Sequence, residues 1–68
     1  MAQNELSLKV ISIEASQLGW KPGVWKYSFE YEGKMFYQQS VIHDQEGDFA
    51  GVEYANKDCS TMLLVWND

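Results

Sequence analysis

The chain has 68 residues, of which 46% are hydrophobic and 15% aromatic, and it carries a net charge of −5 from ten acidic and five basic side chains. This length predicts a single small domain, residues 1–68, and excludes a second one. All five basic residues are scattered lysines, so the chain lacks the basic patch and the arginine forks used to bind nucleic acid or anionic membrane surfaces. We therefore expect neither nucleic acid nor a membrane among its partners.

The cysteine content predicts an uncrosslinked protein from a reducing compartment. Cys59 is the only cysteine, which excludes an internal disulfide, and no Cys/His cluster has zinc-binding spacing. The N-terminal residues do not read as a signal peptide, and the longest apolar run, residues 62–66, is too short to span a bilayer. Residues 19–23 lack the spacing of a phosphate-binding loop. We expect a soluble, cytoplasmic protein without a cofactor.

The first predicted element is a strand over residues 6–14, preceded by polar residues 1–4 that we expect to be frayed. Apolar side chains fall on both faces of this strand, which predicts either a β-bulge or burial of both faces. Residues 15–23 form a connection, in which Pro22 and Gly23 suit the central positions of a type II turn.

An aromatic hairpin is the clearest predicted element. Residues 24–31 alternate between aromatic and other side chains, and residues 34–43 continue the alternation after a chain reversal. A three-residue loop with Gly33 in the left-handed conformation predicts a register in which Glu30 lies opposite Lys34. In that register one buried face holds Trp25, Tyr27, Phe29, Tyr31, Met35, Tyr37 and Val41.

The C-terminal half predicts further strands. Residues 48–57 admit two interpretations: Asp48 could cap a short helix, or the segment could be a strand, which we favour. Residues 60–66 form the last predicted strand, and its apolar run at residues 62–66 predicts burial on both faces and a central position in the sheet. Short connections between four or five strands favour a small antiparallel meander. The predicted fold class is mainly β, with α+β as the alternative if residues 48–57 form a helix.

One acidic cluster is the weak candidate for a metal site. It consists of His43, Asp44, Glu46 and Asp48. The three carboxylates have the spacing that begins a calcium-binding loop, but the glycine lies at position 47 rather than 49 and the twelfth position is alanine. We interpret the cluster as a solvated acidic turn and predict no metal.

A cysteine nucleophile activated by histidine is the other chemistry to consider. Cys59 and His43 are the residue types required, but neither has the local context of a catalytic motif. We interpret Cys59 as a small buried side chain beside an apolar strand, and we expect no enzymatic activity.

The surplus of aromatic residues predicts an interaction surface. Ten large rings exceed what the thin core of so short a chain can enclose, so some of them should lie exposed or at a subunit interface. Trp20 lies between turn residues, and we favour a role as a lid over one end of the sheet. We expect a non-catalytic module that binds a second copy, as a homodimer, or another protein; the alternative is a site for a small apolar ligand or a carbohydrate. The candidate interface or ligand residues are Trp20, Trp25, Tyr27, Tyr37 and Trp66.

Overall fold

A computed structural model of the chain describes residues 8–68 and contains one five-stranded sheet. The strands are β1 (Lys9–Glu14), β2 (Ser28–Tyr31), β3 (Lys34–His43), β4 (Phe49–Asn56) and β5 (Thr61–Trp66). A single 3-10 turn, Ala15–Leu18, follows β1. The predicted mainly β class is confirmed. The expected fraying of residues 1–4 and the start of the first predicted strand at residues 6–7 lie outside the described residues.

The strand order is β1-β5-β4-β3-β2, and four of the strands, β2 to β5, form the predicted antiparallel meander. The prediction of a purely antiparallel sheet was wrong at β1, which pairs in parallel with β5. The reason is the connection at residues 15–27, which is long enough to carry the chain from one edge of the sheet to the other. As a result β1 and β2, neighbours in sequence, form the two opposite edges.

The first strand has no β-bulge, since its pairing with β5 runs without interruption from Lys9 to Glu14. Its two apolar faces have different surroundings. Ile13 is buried in the core and Ile11 packs against it, whereas Val10, on the other face, is 53% exposed. Of the two predicted explanations, the bulge was therefore wrong, and burial of both faces was wrong at Val10.

The turn of the β2–β3 hairpin differs from the predicted one. Glu32 and Gly33 both have positive φ, 52° and 82°, and Tyr31 pairs directly with Lys34, so the loop has two residues instead of three. Positive φ at both central positions is the signature of a type I′ turn, which matches the twist of paired strands. The predicted strand over residues 24–31 was also too long, because β2 begins only at Ser28.

This change of turn moves the register by one residue, and such a slip transfers every affected side chain to the opposite face of the sheet. Phe29 lies opposite Phe36, and both are buried. Met35 and Tyr37, which were predicted to share the buried aromatic face, lie on the other side and remain 43% and 40% exposed. The expected composition of the buried face was therefore wrong in β3, and it was also wrong at Tyr27, which precedes β2 and is exposed.

The two C-terminal strands follow the sequence closely. Residues 48–57, for which helix and strand were both considered, contain strand β4, so the helical alternative is wrong. The last predicted strand is confirmed as β5, which lies between β1 and β4 and is therefore interior to the sheet as expected. Its predicted burial on both faces was wrong, because Met62, Leu64 and Trp66 are only half-buried.

One side of the sheet, called here the covered face, is packed against the connection at residues 15–27. The largest fully buried side chains all point to this side: Tyr54, Phe36, Leu63, Val52 and Val65. Trp20 closes over them, with its ring centroid 4.9 Å from that of Phe29 and 6.0 Å from that of Tyr54, in edge-to-face contacts. The Tyr54 hydroxyl donates a hydrogen bond of 2.6 Å to the Lys26 carbonyl and so ties the connection to the sheet. Trp20 thus takes the position of a lid, as favoured from the sequence.

Candidate interaction surface

The opposite side of the sheet, called here the open face, is built from the residues that alternate with the core. Residues that pair with one another on neighbouring strands place their side chains side by side, so the side chains of this face form rows that cross the strands. One row contains Val10, Met62, Ala55 and Tyr37. The next contains Ser12, Leu64, Glu53 and Ser40. A third contains Glu14, Trp66, Gly51 and Ile42. The mixed row, at whose centre Leu64 lies next to Glu53, is therefore flanked by one apolar row and by a row that is apolar except for Glu14 at its β1 end.

No other segment of residues 8–68 packs against this face as the connection packs against the covered face. Met62, Leu64 and Trp66 are half-buried, and Val10 and Tyr37 are exposed. Isolated exposed apolar residues are ordinary, but a contiguous apolar area across four strands is typical of a surface that contacts another molecule.

Trp66 lies flat across the open face. Its indole nitrogen donates a hydrogen bond to the Ser12 hydroxyl of β1 on one side. On the other side, in β4, a Cβ at Gly51 would come within 3.2 Å of the indole Cε3 and would collide with the Val65 carbonyl oxygen. Only glycine permits so close an approach. Because the ring nitrogen already has its partner, the indole presents an apolar surface outward.

A single polar pair interrupts the apolar rows near the middle of the face. The Ser40 hydroxyl donates a hydrogen bond of 2.7 Å to Glu53 Oε1, across the β3–β4 pairing. This bond holds the carboxylate within the plane of the surface. Any molecule packed on the open face must therefore accommodate the Glu53 carboxylate near its middle, and Glu14 adds a second carboxylate at the β1 edge.

The acidic cluster forms the loop between β3 and β4. One carboxylate oxygen from each of Asp44, Glu46 and Asp48 lies within 4.8 Å of the other two, and all three residues are exposed; His43 is not part of this group. Asp44 Oδ1 accepts hydrogen bonds of 2.9 Å from the backbone N–H groups of Glu46 and Asp48. Aspartate side chains commonly close turns in this way. The loop's own hydrogen bonds thus explain why these carboxylates are close together.

Cys59 and His43 lie too far apart to act together. His43 pairs with Phe49 at the start of β4, whereas Cys59 lies in the turn that follows its end. An eight-residue strand spans about 25 Å, far beyond the reach of a hydrogen bond. The expectation that Cys59 is buried was also wrong: it is exposed, with a positive φ of 59°, because it lies in the turn and not in β5.

The five candidate interface residues lie in three separate places. Trp20 and Trp25 pack on the covered face, 5.5 Å apart between ring centroids. Tyr27 lies outside the sheet and is 81% exposed. Only Tyr37 and Trp66 share the open face. The sequence analysis missed Val10, Met62 and Leu64 as members of that surface. They could have been found from the alternation of β1 and β5, because they lie between the residues that point into the core.

Two depressions adjoin the candidate residues. The crevice beside Trp20 and Trp25 holds about 150 Å³, which is below the usual range for a small-molecule site. A shallow depression of about 570 Å³ lies where Tyr37 meets the turn between β4 and β5. Its lining residues are Lys34, Met35, Tyr37, Asn56, Lys57, Asp58 and Ser60.

Comparison of the chain with protein-family models, with curated proteins and with solved structures found no match. Within residues 8–68, the structure contains no helix with the length and apolar character needed to cross a membrane. The open face is therefore the feature of the described chain from which a function can be inferred.

Proposed function

We propose that this protein is a non-catalytic interaction module that self-associates by packing its open face against the open face of a second copy. The observation that supports the proposal is the contiguous apolar surface formed by Val10, Met62, Leu64, Trp66 and Tyr37, which residues 8–68 leave uncovered. Two sheets that pack face to face lie about 10 Å apart, with interdigitated side chains. Such a pairing would give the open face the second layer that the connection supplies to the covered face.

The size of the surface indicates how strong this association should be. Five strands about 4.8 Å apart and about 20 Å long present roughly 500 Å² per copy, so that pairing buries roughly 1,000 Å² in total. Specific protein interfaces usually bury more than about 1,200 Å², and weaker encounters bury less. The net charge of −5 per copy also opposes association. We therefore expect reversible self-association that becomes stronger when added salt screens the repulsion.

A matched pair of tyrosine substitutions tests the proposal. Tyr37→Glu places a charge on the open face, whereas Tyr27→Glu makes the same chemical change at an exposed site outside the sheet. Sedimentation equilibrium should show association weakened about tenfold or more by Tyr37→Glu, because a carboxylate would have to be desolvated in the interface. Tyr27→Glu should associate like the wild type, and circular dichroism should show that both variants are folded.

Two results would contradict the proposal. One is a wild-type protein that remains monomeric at several hundred micromolar in moderate salt. The other is an equal loss of association in the two tyrosine variants, which would mean that total charge, and not the open face, controls the assembly.

A second candidate function, binding of a small apolar ligand or a carbohydrate, is favoured by the flat orientation of Trp66. An indole that lies on the sheet with its nitrogen already bonded offers a stacking surface, and the polar pair Ser40–Glu53 lies in the adjacent row. Tryptophan fluorescence titrations with oligosaccharides and small aromatic compounds test this function. A response that Trp66→Phe abolishes supports it, whereas no response from a protein that still self-associates supports the interaction module.

A further inference from the structure

We propose that the outer edge of β1 is a second self-association site, at which β1 of another copy pairs antiparallel to give one continuous ten-stranded sheet. This site differs from the open face because it uses backbone hydrogen bonds at an edge of the sheet. Its predicted role in a larger assembly rests on the proposed function, but edge pairing itself does not.

The hydrogen bonds of β1 identify the backbone groups that remain available. Lys9 N–H donates to the Ser60 carbonyl, so the backbone of Lys9 is directed toward β5. Successive residues of a strand direct their backbone groups to alternate sides, which points those of Val10, Ser12 and Glu14 away from the sheet. Glu14 N–H is already bonded to the side-chain oxygen of Gln17. Among the bonds that residues 8–68 make, the donor and acceptor of Val10 and those of Ser12 are therefore left available on this edge.

These two residues make the edge complementary to itself. In an antiparallel pairing with the two-fold axis beside Ile11, Val10 of each copy lies opposite Ser12 of the other, and each pair exchanges two hydrogen bonds. Ile11 then faces its own counterpart in the closely spaced position between the two pairs. Its side chain is only partly buried in the single copy and packs against the edge of the core. The pairing would therefore extend the covered core across the junction.

The other edge of the sheet lacks these properties. β2 has four residues, against six in β1, and its outward-directed backbone belongs to Ser28 and Glu30. Short edge strands, charged side chains, prolines and bulges are the features that prevent unwanted pairing. Between its charged ends, Lys9 and Glu14, β1 has no proline, bulge or charge. A regular edge of this kind accepts another strand.

Symmetry makes the two association sites compatible. The axis that pairs β1 edges is perpendicular to the sheet, whereas the axis that packs two open faces together lies parallel to it. Two perpendicular two-fold axes generate a closed tetramer of two ten-stranded sheets, a common arrangement of identical subunits. In this tetramer the facing surfaces would bury roughly 2,000 Å², which reaches the range of stable interfaces. A single pair of five-stranded faces falls short of that range.

Proline substitution at Ser12 tests the edge directly. Proline is tolerated in an edge strand where the N–H points away from the sheet, and it removes one donor from each pair. Ser12→Ala is the matched control, because it also loses the hydroxyl that accepts from Trp66 but keeps the backbone N–H. We expect sedimentation to give a tetramer for the wild type and Ser12→Ala, a dimer for Ser12→Pro, and a monomer for Ser12→Pro combined with Tyr37→Glu.

The same series separates the two sites. If only the face pairs, the wild type and Ser12→Pro are dimers and Tyr37→Glu is a monomer, which overturns the edge proposal. If only the edge pairs, Ser12→Pro is a monomer while the wild type and Tyr37→Glu remain dimers, which overturns the proposed function instead. Equal masses for Ser12→Pro and Ser12→Ala also overturn edge pairing.

Hydrogen exchange and a second variant make the test independent of whether Ser12→Pro folds. In the wild type, the amides of Val10 and Ser12 should exchange slowly at high protein concentration and rapidly on dilution, because pairing with a second copy would protect them and no bond within residues 8–68 does. Fast exchange at every concentration overturns the proposal. Val10→Pro removes the N–H of the other outward-directed residue. Because Val10 also belongs to the open face, its control is Val10→Ala, and Val10→Pro should give the smaller assembly of the two.

Discussion

Leu63 and Leu64 are consecutive residues of β5, but their side chains lie on opposite faces of the sheet and have different surroundings. Leu63 is fully buried beneath the connection, whereas Leu64 is half-buried among its neighbours on the open face. The two faces both contain large apolar side chains. The comparison teaches that apolar content does not decide burial in this sheet; the path of residues 15–27 does, because it crosses only one side.

The aromatic rings show the same contrast. On the covered face, Trp20, Phe29 and Tyr54 meet edge to face at centroid distances of 4.8 to 6.0 Å, which excludes water from a compact cluster. On the open face, Trp66 lies flat against the backbone of Gly51. One arrangement fills the interior of the subunit, and the other presents a ring to whatever lies outside it.

The largest expected effect comes from truncating each leucine in turn, which tests whether the two faces contribute differently to the stability of the subunit. Leu63→Ala should lower the free energy of unfolding by about 3 kcal/mol, because it leaves a cavity in the core. Leu64→Ala should cost about 1 kcal/mol in the isolated subunit, since its side chain is only half-buried. Urea denaturation followed by circular dichroism measures both values.

The stability losses of the two leucine variants should depend differently on protein concentration. The loss from Leu64→Ala should grow at high protein concentration, where the wild type gains stability from association, and the loss from Leu63→Ala should change less. Equal losses for the two variants at low concentration would show that the two faces are equally buried and would remove the basis of the comparison.

A smaller change in stability is expected when the pH rises, because the buried phenol of Tyr54 on the covered face then ionises. Burial raises the pKa of Tyr54 to about 12, compared with about 10 for an unfolded tyrosine. The folded state holds this proton more tightly, so the stabilisation is complete below pH 10 and is lost as the pH rises toward 12. Thermal unfolding of the wild type should therefore show stability that decreases across this window.

Tyr54→Phe isolates the contribution of this phenol. It removes the hydrogen bond to the Lys26 carbonyl and should cost about 1 kcal/mol at neutral pH. Between pH 10 and 12 the variant should lose stability less steeply than the wild type, although the lysines titrate in both proteins. Identical slopes would mean that Tyr54 ionises in the folded state as easily as in the unfolded chain.

The smallest expected change in the free energy of unfolding comes from the two-residue turn between β2 and β3, whose length sets the register of β3. Glu32 has a φ of 52°, a conformation in which asparagine is more favourable than glutamate. Glu32→Asn should raise the free energy of unfolding by about 0.5 kcal/mol by strengthening the two-residue turn. Glu46→Asn, in the loop between β3 and β4, removes the same charge at a residue without positive φ and should give no gain. A gain of the same size in both variants would attribute the effect to charge and not to the turn.

The candidate surface could be predicted from the sequence only in part. The excess of aromatic residues indicated that apolar surface would remain uncovered, and two of the five residues singled out, Tyr37 and Trp66, lie on the open face. Trp20 and Trp25 were grouped with them because nothing in the sequence states which side of the sheet the connection crosses. The close approach of Trp66 to Gly51 joins residues from different strands, so a single stretch of sequence does not reveal it.

The sequence by itself determined the mainly β fold and the positions of β3, β4 and β5, because alternation and turn residues act over a few neighbouring positions. Only the tertiary structure decided that β1 pairs in parallel with β5, that the hairpin turn has two residues, and which face is covered. These features depend on contacts between distant segments and on a one-residue choice of register, and in a sheet that choice exchanges the two faces.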